Sequence, residues 1–158
     1  MEIRRVVTGF DGERAAVLYD GPAPATVDMP SGVGASAVDL WKSPSIPLDT
    51  TSPDDPTTTT PFELMPSGAL FRIIDLEPGD HTPLWHTTAS VDFNYVVSGT
   101  VKVLLGDEAA VTDEVHLTAG DTFVHRGPRH AWVNSGEEVC RLVCSSVAAE
   151  LPPDVQPS

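Results

Sequence analysis

The second half of the chain is a series of short runs in which apolar and polar residues alternate. Such runs occupy residues 69–76, 92–97 and 100–106, and Ser98-Gly99 joins the last two in a way that predicts a tight hairpin. The segments EVHLTAGDTFVHRG, HAWVN and VCRLVCSSV continue the pattern, with turn residues such as 118–121 between them. No run of ten or more residues shows a helical stripe, so the pattern predicts an all-β sandwich or barrel with little helix.

The first third of the chain is more broken. Its β-like runs at residues 4–9, 14–21 and 36–42 are interrupted by the Pro- and Gly-rich stretch GPAPATVDMPSGVG. A stretch rich in Pro, Thr and Asp follows, with little periodicity, which predicts a surface excursion that is either an inert linker or a mobile lid. We therefore divide one domain into N-terminal strands or an arm packed on the core (1–42), the excursion (43–67), the β core (68–148) and a polar tail (149–158).

The charge balance narrows the range of partners. Nine Lys and Arg stand against 23 Asp and Glu, which gives a formal net charge of -14. Such a charge repels phosphate backbones and anionic lipid headgroups, so we expect no nucleic-acid and no membrane partner. At 158 residues the chain fits a single domain with one core.

The cysteines and the start of the sequence are used to predict the cellular compartment of the protein. Cys140 and Cys144 lie four residues apart in a predicted strand, where their Cα atoms would be ~13 Å apart, beyond the ~7 Å that a disulfide spans. They are expected to be free thiols. The sequence shows no charged leader followed by an apolar run and no 18-residue apolar stretch. The expected location is therefore the cytoplasm.

All five histidines lie beyond residue 80, in the β-rich half. His86 and Asp92 are six residues apart, so on one straight strand their Cα atoms would lie ~20 Å apart, too far to share an ion. A reversal within residues 87–90 would place them on facing strands, and His130 would approach from a third. Two imidazoles and one carboxylate then form a facial site with open coordination positions, which is typical of non-haem iron chemistry. For any single buried histidine, a structural role is the alternative.

Two segments resemble the paired sequence motifs of the cupin superfamily. GDHTPLWHTTASVDFNYVVSG, residues 79–99, is similar to the first motif, and GDTFVHRGPRHAWVN, residues 120–134, is similar to the second. The resemblance implies a small single-domain cupin, a double-stranded β-helix or jelly-roll barrel, here with an irregular N-terminal strand region. It also implies a divalent transition metal (Fe, Mn, Ni or Zn) held by His86, Asp92 and His130.

One position departs from the family pattern. Thr88 stands where the second metal-binding histidine is expected, and His125, five residues before His130 across the turn-forming RGPR, is the candidate to replace it. Strand alternation puts His125 and Phe123 on one face and Arg126 on the other. If His125 faces inward, as we favour, it is a fourth ligand. If Arg126 faces inward instead, it can hold a substrate carboxylate by a two-point contact.

Polar and aromatic side chains around the two motifs are candidate substrate contacts, since pocket walls are largely apolar and aromatic. Core packing is the alternative for at least two of the aromatic residues. The candidates are Thr88, Tyr95, Phe123, Arg126 and Trp132.

Three functional hypotheses follow. The first is a metal-dependent cupin enzyme, an oxidoreductase or lyase that acts on a small oxygenated organic substrate by dioxygenation, decarboxylation, dehydration or isomerisation. The second is a metal-free barrel that binds a small aromatic or apolar metabolite as a sensor or carrier. The third, compatible with either, is a homodimer formed through the outer strands or by exchange of the first forty residues.

Overall fold

The computed structural model describes residues 3–52, 54–59, 63 and 67–158 of the chain. Within these residues there are eleven strands and one four-residue helix. The prediction of an all-β fold with little helix is confirmed. The elements are β1 (Arg4–Asp11), β2 (Arg14–Pro22), β3 (Val27–Asp28), β4 (Ala35–Ser43), α1 (Pro56–Thr59), β5 (Ala69–Leu76), β6 (Ser90–Ser98), β7 (Thr100–Gly106), β8 (Val111–Thr118), β9 (Thr122–His125), β10 (His130–Asn134) and β11 (Cys140–Ala148).

Two sheets pack against each other and enclose the core. The larger sheet has the order β3-β4-β5-β11-β6-β9 and the smaller one the order β10-β7-β8. Strand β11 lies antiparallel between β5 and β6, so the last strand of the chain holds the larger sheet together. Both sheets contribute to one buried apolar cluster, which consists of Leu76, Val96, Val101, Val103, Leu117, Cys140 and Leu142.

The predicted hairpin at Ser98-Gly99 is wrong. Strand β6 belongs to the larger sheet and β7 to the smaller one, so this turn carries the chain from one sheet to the other. Gly99 has a φ of 77°, and a Cβ there would lie 2.8 Å from the Cα of Cys140. The turn therefore depends on a residue that has no side chain and accepts positive φ.

The two sheets are not closed into a continuous hydrogen-bonded barrel. The segment before β6 meets β10 through an isolated bridge, in which the backbones of His86 and His130 exchange hydrogen bonds of 2.9 and 3.0 Å. Pro128 lies two residues from this bridge, and a proline has no N–H with which to extend a ladder. The predicted double-stranded β-helix or jelly-roll fold is thus confirmed, and its two sheets form an open sandwich.

The N-terminal region divides into two parts. Strand β4 pairs with β5 as an integral strand of the larger sheet, whereas β1 and β2 form a separate hairpin. The hairpin is fastened through Arg5, whose buried guanidinium donates to the carbonyl of Leu40, to the carboxylate of Asp55 and to the hydroxyl of Thr57.

Part of the predicted excursion at 43–67 lies outside the described residues, namely 53, 60–62 and 64–66. Its described part contains the short helix α1 and turns, with no strand beyond Ser43.

The predicted polar tail is held against the core. The backbone N–H of Ala149 donates to the carbonyl of Ala89, and Thr87 and Ser158 exchange backbone hydrogen bonds of 3.3 and 3.2 Å.

Cys140 and Cys144 are free and buried on β11, as predicted. Burial raises the pKa of each thiol to about 11, so both are protonated at neutral pH. None of the helices in the described ranges is long and apolar enough to cross a membrane.

Candidate functional site

Three of the five histidines stack against one another between the sheets. His86 precedes β6, His125 ends β9 and His130 begins β10. The centroids of the His86 and His130 rings are 4.2 Å apart, and those of His125 and His130 are 3.8 Å apart. Between β9 and β10, Gly127 has a φ of 89°, and a Cβ there would lie 2.7 Å from the carbonyl oxygen of Thr88. Glycine at this position lets the chain reverse and bring His125 back beside His130.

Asp92 completes this cluster. It lies on the inner face of β6, directly opposite His125 in the β6–β9 ladder, and its side chain is buried. The hydroxyl of Ser90 donates to its carboxylate over 2.7 Å. The fold therefore gathers the four side chains that the sequence proposed as metal ligands, although their contacts differ from those of a metal site.

Backbone carbonyls determine which nitrogen of each ring carries the proton. The Nδ1 atoms of His86 and His130 bond to the carbonyls of Leu84 and Pro128 at 2.9 and 3.0 Å, and Nε2 of His125 bonds to that of Pro128 at 3.0 Å. A carbonyl only accepts, so these nitrogens are the donors. In a neutral ring, the Nε2 atoms of His86 and His130 are then left as acceptors.

Burial keeps these rings neutral. Desolvation lowers the pKa of His86 and of His125, and for both rings the negative charge of Asp92 opposes the shift. For His130, desolvation together with the neighbouring His86 and His125 lowers the pKa to about 2. At neutral pH the cluster therefore presents unprotonated nitrogens beside one carboxylate, and His130 is too weak a base to remove a proton.

A cavity of about 90 Å³ opens beside the cluster. Part of the lining is mainly apolar and consists of Met29, Val33, Ala35, Ile74, Leu76, Leu84 and Trp132. The remaining residues form the polar wall, which consists of Arg72, His86, Thr88, Ser90, Asp92, His130, Cys144 and Ser146. Two larger clefts, of about 330 and 890 Å³, lie near the N-terminal strands and contain no histidine, so the smaller cavity is the chemically equipped one.

The side-chain arrangement does not fit a metal ion. Among the described residues, no group of three or more His, Cys, Asp or Glu side chains is placed to hold one. The ring planes of His86 and His125 are tilted by 48° and 45° from that of His130. Nε2 of His125 is also engaged by a carbonyl, and the hydroxyl of Thr88 is a poor ligand for a transition metal.

The predicted substrate contacts separate into two groups. Thr88 and Trp132 line the cavity. Phe123 packs partly buried against the apolar core, 5.6 Å from the His125 ring. Tyr95 is 46% exposed on the outer face of β6, and Arg126 is also exposed, so the structure places both outside the cavity. Alternation explains this placement, because Tyr95 lies an odd number of residues from Asp92 and Arg126 directly follows the buried His125.

Sequence reasoning missed four side chains of the polar wall, namely those of Arg72, Ser90, Cys144 and Ser146. Cys144 and Ser146 follow Leu142 at strand spacing on β11, and the Cys144 thiol lies 3.3 Å from the Ser146 hydroxyl. Arg72 is 3% exposed and makes two hydrogen bonds, of 2.9 and 2.7 Å, to the carboxylate of Asp39. A signal for Arg72 was available, since it shares its strand face with Leu70 and Ile74, where a charged residue is unusual.

The comparisons with known proteins cover the β core. Residues 72–146 match the family model described as a cupin domain. Oryzines biosynthesis cluster protein J of Aspergillus oryzae is 36% identical over 74 residues, which is 47% of this chain and 38% of that protein. The cupin-domain-containing oxidoreductase fogC of Aspergillus ruber is 33% identical over 76 residues, or 48% of this chain and 35% of that protein. The matches thus span less than half the length of these curated relatives.

Among solved structures, the cupin domain of Schizosaccharomyces pombe Cnp3 superposes with a TM-score of 0.57. The superposition covers 93% of this chain and 87% of that one, at 12% sequence identity. At this level of identity the likeness shows the fold alone.

Proposed function

Because this chain belongs to the cupin family through residues 72–146, we propose that the cavity beside its histidine cluster binds and acts on a small oxygenated organic molecule. One observation carries the proposal. The cavity is lined by the neutral imidazoles of His86 and His130 and the carboxylate of Asp92 together with a set of apolar side chains. A carbon skeleton fits the apolar part of this lining, and a hydroxyl group fits its acceptors.

The chemistry of the polar wall follows from its protonation. A ligand hydroxyl donates to the free Nε2 of His86 or His130, and burial favours this neutral hydrogen bond over transfer of the proton to the ring. Asp92, which lines the same cavity, is a further hydrogen-bond acceptor for such a hydroxyl. The names of relatives such as the cupin-domain-containing oxidoreductase fogC support an enzymatic role without specifying a substrate.

A hydroxyl probe tests this function. Butan-2-ol added to the chain with ¹⁵N-labelled histidine is expected to shift the Nε2 signals of His86 and His130. His86→Gln is expected to weaken binding at least about fivefold, the loss of one good hydrogen bond. The matched control is His116→Gln, which changes an exposed histidine on β8 and should leave binding unchanged. Equal binding by both variants, or no shift of the two signals, would contradict the proposal.

The metal-dependent form of this function is the second candidate. The relatives named oxidoreductases favour it, and His86, Asp92 and His130 are the residues that would hold the ion. Because these side chains are not placed to hold an ion together, metal binding requires them to rearrange. Metal content measured after purification without chelator, and again after reloading, decides the matter. Less than about a tenth of an equivalent of any transition metal rules this form out.

A sensor or carrier without turnover is the remaining alternative, and the buried Thr88 in place of a ligand histidine favours it. Such a protein would release its ligand chemically unchanged. Mass spectrometry of a ligand incubated with the chain in air distinguishes the two, because an enzyme yields a product and a carrier does not.

A further inference from the structure

Two polar groups on residues that line the cavity have no hydrogen-bond partner among the described residues. They are the hydroxyl of Thr88 and the indole N–H of Trp132, and both atoms are buried. Thr88 is only 4% exposed. A buried polar group left unpaired costs roughly 1–3 kcal/mol, which is why nearly all such groups in folded proteins find a partner. Because both residues line one cavity, an occupant of that cavity is the available source of these partners once the side chains adjust toward it.

The positions of these groups form a regular pattern. Thr88 lies two residues after His86, and Trp132 lies two residues after His130. The His86–His130 bridge sets the two segments side by side, and all four side chains line the cavity. The histidines present acceptors, the indole N–H is a donor only, and the hydroxyl can serve as either. The lining of this cavity therefore combines hydrogen-bond acceptors with hydrogen-bond donors on neighbouring residues.

We propose that Trp132 and Thr88 select a neutral hydroxy-carbonyl compound, whose carbonyl oxygen accepts from the indole N–H while its hydroxyl donates to an imidazole. This inference rests on the proposed function and assigns the orientation of the ligand within the site. Thr88 is the second donor to the carbonyl oxygen. A ligand with only one of the two groups leaves a buried partner unpaired, which is an effective basis for discrimination.

Charge and size narrow the ligand class further. Asp92 lies in the same wall and disfavours an anionic ligand, and the guanidinium of Arg72 is engaged by Asp39. The cavity of about 90 Å³ is smaller than the roughly 150 Å³ that accommodates benzene in an engineered protein core. The ligand is therefore limited to at most about six non-hydrogen atoms.

Three small probes separate the contributions of the two groups. They are 3-hydroxybutan-2-one, which carries both groups, butan-2-one, which carries the carbonyl, and butan-2-ol, which carries the hydroxyl. The chain has three tryptophans, so its indole N–H signals are few, and that of Trp132 is identified by its loss in Trp132→Phe. The Trp132 indole proton is expected to move downfield with the two ketones and to stay in place with butan-2-ol.

Variants give the corresponding affinities. Trp132→Phe is expected to weaken 3-hydroxybutan-2-one binding roughly tenfold and butan-2-ol binding less than about twofold. Thr88→Val removes the unpaired hydroxyl at nearly constant shape, so the chain stays folded while the affinity for the hydroxy-ketone falls several-fold. The matched control is Trp41→Phe, because Trp41 lies in the clefts near the N-terminal strands, away from this cavity.

The outcomes are distinct for the two proposals. If butan-2-ol binds through His86 but the ketones leave the Trp132 indole proton unmoved, ordered water is its partner, and this inference fails while the proposed function stands. Equal losses for all three probes in Trp132→Phe would also overturn it, since a packing role affects them alike. If none of the probes binds, both proposals fail.

Discussion

The larger sheet has polar residues on its inner face and apolar residues on its outer face, most clearly along β6. In an ordinary soluble protein the distribution is the reverse. The inward-facing residues of β6 include Ser90, Asp92 and Asn94, all buried, whereas the outward-facing Phe93 and Tyr95 are 51% and 46% exposed. Buried polar groups are costly unless paired, and exposed aromatic groups contribute nothing to the core. The inner polar face agrees with the proposed binding site, and the outer apolar face is a candidate contact surface.

Neighbouring strands extend both faces. Inside, Arg72 on β5 and Cys144 with Ser146 on β11 continue the polar wall. Outside, Phe71 is 43% exposed and Val124 is 55% exposed. The expected homodimer stays a prediction, and this outer face is the surface on which it depends.

The largest effect is expected at the buried ion pair on the inner face. Asp39→Ala leaves Arg72 buried without its carboxylate partner, and we expect a loss of about 3–5 kcal/mol in the free energy of unfolding. The measurement is urea unfolding. As a control, Asp20→Ala removes the partner of Arg4 in the exposed hairpin, where no measurable change is expected. Similar losses at both sites would contradict the distinction between inner face and surface.

Two adjacent valines test the two faces directly. Val96 is 1% exposed in the core and Val97 is 44% exposed on the outside of the same strand. Val96→Ala removes buried methyl groups and leaves a small void, so we expect a loss of about 2 kcal/mol. Val97→Ala is expected to change stability by less than about 0.5 kcal/mol. An equal effect in urea unfolding would show that the outer face is covered in the folded molecule.

Acid should destabilise the inner face through its histidines. Folding lowers the pKa of His86, His125 and His130, so each contributes fully above its unfolded pKa of about 6.5 and loses that contribution as the pH falls toward its folded value. Each adds a slope of up to about 1.4 kcal/mol per pH unit below that point. Urea unfolding from about pH 7.5 to about pH 4.5 measures the slope. In His130→Gln the slope should decrease, and an unchanged slope would exclude this origin.

The smallest effect on stability is expected on the outer face. Exchanging Phe93 and Tyr95 together for serine should alter the free energy of unfolding by less than about 0.5 kcal/mol per site. If the outer face joins two copies, the same change converts a dimer into a monomer in sedimentation experiments. An unaltered chain that sediments as a monomer at every usable concentration would exclude the homodimer.

Local alternation predicts much of the fold and of the site. The period of two residues locates the strands and puts His125 and Arg126 on opposite faces. The structure shows the favoured alternative, with His125 buried and Arg126 exposed. The same rule places Tyr95 opposite to Asp92, so a prediction that applied it to β6 would have kept Tyr95 out of the cavity. Alternation also puts Arg72 on the same face of β5 as Leu70 and Ile74. The pattern therefore predicts that Arg72 is buried, although a charged residue is usually assumed to be exposed.

Long-range pairing could not be predicted in the same way. Whether Ser98-Gly99 ends a hairpin or crosses between sheets depends on the close approach of Cys140, which is distant in sequence. The stacking of His86 on His130 depends on a single backbone bridge between irregular segments. Motif spacing indicates which side chains come together. It does not indicate how each ring is oriented, because that depends on the backbone carbonyl to which each ring nitrogen bonds.

The backbone bonds between Thr87 and Ser158 have a practical consequence for handling this protein. Thr87 lies between His86 and Thr88, and the hydroxyl of Ser158 also accepts a hydrogen bond from Arg129, next to His130. An affinity tag attached after Ser158 would therefore begin beside the two segments that form the polar wall. A tag placed ahead of the β1–β2 hairpin avoids them, and assays of ligand binding are best performed on protein tagged at that end.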